Sequence, residues 1–125
     1  MAAWTGDELR RIGGAEELEI APRRRDGTRR APRPIWVVHA GDDLYVRAAY
    51  GAGSGWHRIA RASGQARISA GGVQKDVTVE DADVGVLDAV DTAYLEKYGR
   101  RYASIVDSIT DTDHRATTLR LTPRR

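Results

Sequence analysis

Residues 35–50 constrain the fold more than any other stretch of the chain. Ile35-Trp36-Val37-Val38-His39-Ala40, opened by Pro34, is rich in β-branched and aromatic residues and apolar enough to be a strand buried on both faces. Gly41-Asp42-Asp43 makes a tight turn, and Leu44-Tyr45-Val46-Arg47-Ala48-Ala49-Tyr50 returns at once. The two segments are expected to pair as a hairpin at the core of the fold.

The flanking pattern supplies the remaining elements. Thr5 and Glu8 form a capping box ahead of Leu9 and Ile12, and Gly13-Gly14 stops the turn, so a short helix is expected over Gly6 to Ile12. Leu18, Ile20 and Pro22 alternate with Glu19 and Ala21 as a first strand that runs into an arginine-rich segment, where Asp26-Gly27 marks a turn. After Gly51-Ala52-Gly53-Ser54-Gly55, the apolar spacing of Trp56, Ile59 and Ala60 predicts a short helix closing at Gly64. Ala66, Ile68 and Ala70, the turn Gly71-Gly72, and Val73, Lys75, Val77 and Val79 form a second hairpin. Leu87, Val90, Asp91, Tyr94 and Tyr98 make one stripe of a helix ending at Gly99. Tyr102, Ile105, Val106 and Ile109 continue helically, and Leu119 and Leu121 mark a last strand ended by Pro123. This order predicts an α+β fold, a six-stranded antiparallel split β-barrel with flanking helices, as one domain over 1–125: barrel strands in 18–80, a helical segment in 83–109 and a returning strand in 116–122.

Composition narrows the setting. The chain has 125 residues and no cysteine, so disulfides and thiolate metal sites are excluded and a cytoplasmic protein is expected. No segment reads as a secretory signal or a membrane span. The three histidines, His39, His57 and His114, fall in no metal-ligand spacing, so no metal centre is expected. Nucleophile-elbow and P-loop patterns are likewise missing. Twenty basic residues stand against 18 acidic ones. The distribution is less even: from Arg23 to Arg33 six arginines face Asp26 alone, while Asp76 to Asp91 is acidic throughout. Near-neutral balance and the acidic segment argue against nucleic acid as a partner.

Several segments resemble landmarks of the flavin and deazaflavin oxidoreductase split barrels, from about Leu18 to Val79: Arg23-Arg24-Arg25-Asp26-Gly27, Pro34-Ile35-Trp36-Val37-Val38, Gly41 to Arg47, and Ser54-Gly55-Trp56-His57-Arg58. The whole chain more closely resembles an uncharacterised, largely actinobacterial family with an Ile-Trp-Val-Val strand, a Tyr-Val-Arg strand and an Ala-Tyr-x-x-Lys-Tyr-Gly helix end, here Ile35 to Val38, Tyr45 to Arg47 and Ala93 to Gly99. The resemblance implies a homodimer that binds FMN or a deazaflavin coenzyme at the subunit junction for a redox reaction, with Arg24, Arg25, Gly27, Arg30, Arg47, Ser54 and Trp56 as cofactor-binding candidates. In the deazaflavin branch the loop reads Gly-Arg-x-Ser-Gly; here Arg23 replaces the first glycine and Asp26 the serine, and a carboxylate facing a phosphate is repulsive.

The same residues admit plainer roles. The arginine loop clamps an anion by charge-assisted bonds or is solvated. Arg47 holds a ligand anion or an ion pair with an acid such as Asp76. Ser54 and its glycines wrap a coenzyme or form a mobile loop. Trp36 and Trp56 stack on a ligand ring or fill the core. Tyr94, Tyr98 and Tyr102 with Lys97 line a pocket or pack a helix face. The alternative function is a non-catalytic module that binds a small anionic metabolite at the arginine loop.

Overall fold

In the computed structural model, residues 3–124 are described; Met1, Ala2 and Arg125, included in the expected 1–125 domain, lie outside the described residues. Helix α1 (Gly6–Gly13) begins at the expected capping box: the Glu8 amide donates to Thr5 Oγ1 at 3.1 Å, and the Thr5 amide donates to Glu8 Oε1 at 2.9 Å. Its apolar side, Leu9 and Ile12, is buried. Strand β1 (Leu18–Pro22) follows as expected.

The run from Ile35 to Ala40 is not one strand. It breaks into β2 (Arg33–Ile35), which pairs with β1, and β3 (Val38–Ala40), which pairs with β4 (Asp43–Val46) across Gly41-Asp42. That break gives seven strands where six were expected, all antiparallel, in the order β2-β1-β5-β6-β7-β4-β3. Consecutive strands thus sit at opposite edges of one sheet, joined only by Trp36 and Val37. A flat seven-stranded sheet would hold its edges roughly 29 Å apart, six spacings of about 4.8 Å. The step from Ile35 to Val38 spans at most about 11 Å. The sheet must therefore curl until its edges nearly meet, and the backbone supplies the closure that no hydrogen-bonded ladder makes.

Helix α2 (Gly55–Ser63) ends on Gly64 in the left-handed conformation, φ 69°, and leads into β5 (Gln65–Ala70) and β6 (Val73–Asp81), the long hairpin expected around Gly71-Gly72. A 3₁₀ turn over Val84–Val86 precedes α3 (Leu87–Tyr98). Two short helices follow, α4 (Ala103–Ile109) and α5 (Thr112–Arg115), so the helical segment runs past its expected end at 109. Strand β7 (Leu119–Pro123) then enters between β6 and β4, with Leu121 opposite both Val79 and Leu44.

Two cores result. Leu18, Ile20, Ile68, Val77, Leu44 and Leu121 fill the inside of the curl together with Trp4 and Ile12 at the α1 side and Trp56 and Ala60 of α2. Outside β3 and β4, Val38 and Tyr45 pack under Val90, Tyr94 and Tyr98 of α3 and Val106 and Ile109 of α4. The expected stripe of α3 is its packing face.

Candidate functional site

Where the sheet closes, four segments wall a cleft of about 440 Å³. Arg33 to Trp36 form one wall, Arg47 to Tyr50 the strand side, Ser54 to Trp56 the start of α2, and Ile105 and Ile109 of α4 the far side. Arg30, Arg47, Ser54 and Trp56, four of the sequence candidates, come together here.

Arg30 lies against the start of α2. A Cβ built at Gly55 would stand 2.0 Å from Arg30 Nη1, so the missing side chain leaves the space that the guanidinium occupies. Ser54 is the N-cap residue of α2, yet its hydroxyl caps no amide. Among the described residues neither Arg30 nor Arg33 forms an ion pair, and Glu17 is the one carboxylate of the lining. The cleft thus joins uncommitted cations, a helix start and two indoles.

The indoles are held from behind. Trp36 stacks on Tyr98 with ring centroids 4.0 Å apart and planes 4° from parallel. Trp56, buried at 6% exposure, meets the edge of His57 at 5.5 Å. His57 Nε2 lies 2.9 Å from the Thr117 carbonyl, which can only accept, so that nitrogen carries the proton. Burial holds the His57 pKa below its usual range and keeps the ring neutral.

Arg47 forms an ion pair, with Asp91 at 2.5 Å and not with Asp76, which pairs with Arg67. Only 1% exposed, it also donates through Nε to Thr118 Oγ1 at 2.8 Å, through Nη1 to the Ile109 carbonyl at 3.1 Å and through Nη2 to that of Leu87 at 3.3 Å. Its guanidinium lies 5.3 Å from the centroid of the Tyr94 ring. It forms part of the cleft floor with most of its donors spent on the fold.

Arg24, Arg25 and Gly27 lie elsewhere. Arg24 and Arg25 line a separate depression with Arg58 and α2, and Gly27 takes φ 89° in the turn between β1 and β2. Asp26 points back into that turn, accepting from the Thr28 amide at 3.0 Å and hydroxyl at 2.7 Å. Those bonds hold its carboxyl below the usual carboxylate pKa. Among the described residues no group of three His, Cys, Asp or Glu could hold a metal ion.

The closure itself is bound by residues the sequence marked only as a helix face. Tyr98 Oη donates to the Glu16 carbonyl at 2.8 Å and accepts from the Val37 amide at 3.3 Å, while Lys97 Nζ donates to the Val37 carbonyl at 2.6 Å. The Ile-Trp-Val-Val and Lys-Tyr-Gly segments are therefore one structural unit, and Arg47 of the Tyr-Val-Arg segment joins it through Asp91.

A curled antiparallel sheet, helices over its outer side and an aromatic, arginine-bearing cleft at its closure define a split-barrel-like α+β protein. The chain belongs to the DUF2255 family, described as an uncharacterized protein conserved in bacteria, over residues 8–121. Among curated proteins none matches the sequence. Similar solved structures include the heme storage protein HutZ of Vibrio cholerae (13% identity, 95% of this chain and 87% of that one, TM-score 0.66). An FAD-binding protein of Mesorhizobium loti is similar at 15% identity over 98% and 92% of the two chains, with TM-score 0.56. An F420 reductase is similar at 16% identity over 92% and 90%, with TM-score 0.50. At these identities the likeness is one of fold. No helix among the described residues is long and apolar enough to cross a membrane.

Proposed function

We propose that this protein binds a flavin-type coenzyme, FMN or a deazaflavin, in the cleft at the sheet closure, at a junction between two copies of the chain, in support of a redox reaction. The observation that carries the reading is Arg30 laid over Gly55 beside the uncapped Ser54: a cation and a helix start converge in a cleft whose walls also carry two indoles. That arrangement suits a ligand with an anionic tail and a flat aromatic head. The coenzyme, when bound, supplies hydride or electron transfer. Arg30, Arg33 and Ser54 hold its anionic end, Trp36 and Trp56 flank its ring, and Arg47, tied to Asp91 and Thr118, fixes the floor beneath it. Tyr50, 94% exposed, and Ile105, 44% exposed, form an apolar rim that a second copy would cover. The fold is shared with proteins described as binding FAD or storing heme. The lining has no His, Cys or Met, and its one side chain of a type that ligates heme iron axially, Tyr50, stands exposed on the rim, which favours the flavin type.

The test is titration of the purified protein with FMN, FAD, F420 and hemin, read by fluorescence or absorbance and by thermal shift. Saturable binding of a flavin or F420 is expected, weakened about tenfold or more by Arg30→Ala, since a bond to a charged group contributes about 1.5–3 kcal/mol. Binding lost in Arg24→Ala/Arg25→Ala but kept in Arg30→Ala would move the ligand to the outer depression, where Arg24, Arg25 and Arg58 gather, and would favour an anionic-metabolite module. No shift with any of the four ligands would end the coenzyme reading.

A further inference from the structure

Among the described residues, Trp36 alone of the three tryptophans both lines the cleft and touches tyrosines. Its ring stacks on Tyr98 at 4.0 Å and meets Tyr102 at 5.2 Å, tilted by 45°. Trp56 lines the cleft too, but the ring beside it is His57. Trp4 lies outside the cleft, its Nε1 donating to the Leu121 carbonyl. We propose that Trp36, Tyr102 and Glu16 form a relay that carries an oxidising equivalent from the cleft to the protein surface, the electron passing between the rings and the phenolic proton to the Glu16 carboxylate. The relay serves any one-electron oxidant that reaches the cleft, and it rests on no bound coenzyme.

Tyr102 is singled out by what each hydroxyl can do with its proton. Indole and phenol both yield one electron to a strong oxidant, and a phenol does so more readily when its proton leaves with the electron. Tyr102 Oη donates to Glu16 Oε1 at 3.2 Å, so a carboxylate stands ready to take that proton. Tyr98 touches the same indole, yet its hydroxyl donates to the Glu16 main-chain carbonyl, which is no base. Burial also holds the Tyr98 pKa above the usual range. Tyr94, its ring centroid 6.1 Å from that of Tyr98, has a buried hydroxyl with no acceptor.

The charges favour the same ring. Lys97 Nζ lies 4.9 Å from the Tyr98 centroid and bonds only to the neutral Val37 carbonyl, so its charge opposes a positive hole on Tyr98. Arg101 lies 5.3 Å from the Tyr102 centroid, but it is paired with the Glu16 carboxylate at 3.3 Å, and its Nη2 donates to Tyr102 Oη at 3.2 Å. It holds phenol and carboxylate together, and at 66% exposure it stays solvated once Glu16 is protonated. In the reaction the oxidant takes one electron from Trp36. Tyr102 then gives one electron to Trp36 and one proton to Glu16, which leaves an intact indole and a neutral tyrosyl radical. Tyr102 is half-buried and Glu16 exposed. A thiol or ascorbate in solution therefore supplies the electron that restores the phenol, and Glu16 returns the proton.

The experiment is pulse radiolysis of the whole protein in azide solution, where the azidyl radical takes one electron from tryptophan. Absorbance follows the tryptophanyl and tyrosyl radicals in time. Tyr50, 94% exposed, is removed as a competing phenol by working in Tyr50→Phe. A tryptophanyl radical should convert to a tyrosyl radical at a rate independent of protein concentration and slower in D2O. The conversion should be lost in Trp36→Phe and in Tyr102→Phe, and kept in Tyr94→Phe and Tyr98→Phe. Tyr102→Phe removes only a hydroxyl at the surface, and an unchanged urea midpoint would show that it folds. Glu16→Gln keeps an acceptor for the phenol but no base, and should slow the conversion. Conversion that persists in Trp36→Phe or Tyr102→Phe, or whose rate rises with protein concentration, would overturn the relay. An unchanged rate in Glu16→Gln or in D2O would overturn the role of Glu16.

Discussion

Arg47 shows how one side chain can be legible in kind and illegible in partner. Period two puts Tyr45 and Arg47 on one face of the segment, and a cation among apolar neighbours predicts either a ligand anion or an ion pair. The partner could not be read, because Asp91 lies 44 residues away and is brought over by the packing of α3 on β4. A signal was nevertheless present: Asp91 stands on the otherwise apolar stripe of α3, where a buried cation is the natural complement. Replacing Arg47 by Met should destabilise the fold by about 3 kcal/mol in urea unfolding, toward the low end for a broken buried pair because Arg115 still faces Asp91. Asp91→Asn added to Arg47→Met should cost less than the sum of the two single changes. Arg30 is the opposite case, since its position in the loop was visible but Gly55, which makes its seat, carried no sequence signal beyond a glycine-rich run.

At the level of elements, the helices and the Gly71-Gly72 hairpin followed from local chemistry: a capping box, a left-handed glycine, a strict alternation. The strongest strand signal misled because β-propensity reports a fit to a pleated surface and not which partner is paired. Residues 35–40 are apolar throughout, yet Ile35 belongs to one sheet edge and Val38 to the other. What settles the break is Tyr98, whose hydroxyl meets the buried amide of Val37 in mid-turn. Tyr98→Phe should therefore lower stability by about 1–3 kcal/mol, the cost of an unsatisfied buried donor, with the loss seen in urea midpoints. An unchanged midpoint would show that the closure does not depend on that bond.

For the molecule as a whole, α1 is the piece that ties the barrel end together. The tip of the β5–β6 hairpin meets it so closely that a Cβ at Gly71 would fall 2.2 Å from the Arg11 carbonyl oxygen. Gly41 has nearly the same φ, 60° against 57°, but open space around it. Gly41→Ala should cost about 1–2 kcal/mol for its conformation alone. Gly71→Ala should cost clearly more and should loosen α1, read as faster amide exchange over residues 6–13 at matched denaturant. The two-residue passage from β2 to β3 has a different kind of consequence. Because the chain itself links the first and last strands, the register offsets between neighbours form a closed circuit that must return to its starting value. A one-residue slip at any ladder has to be cancelled at another, and length change is absorbed in the turns and helices outside the circuit.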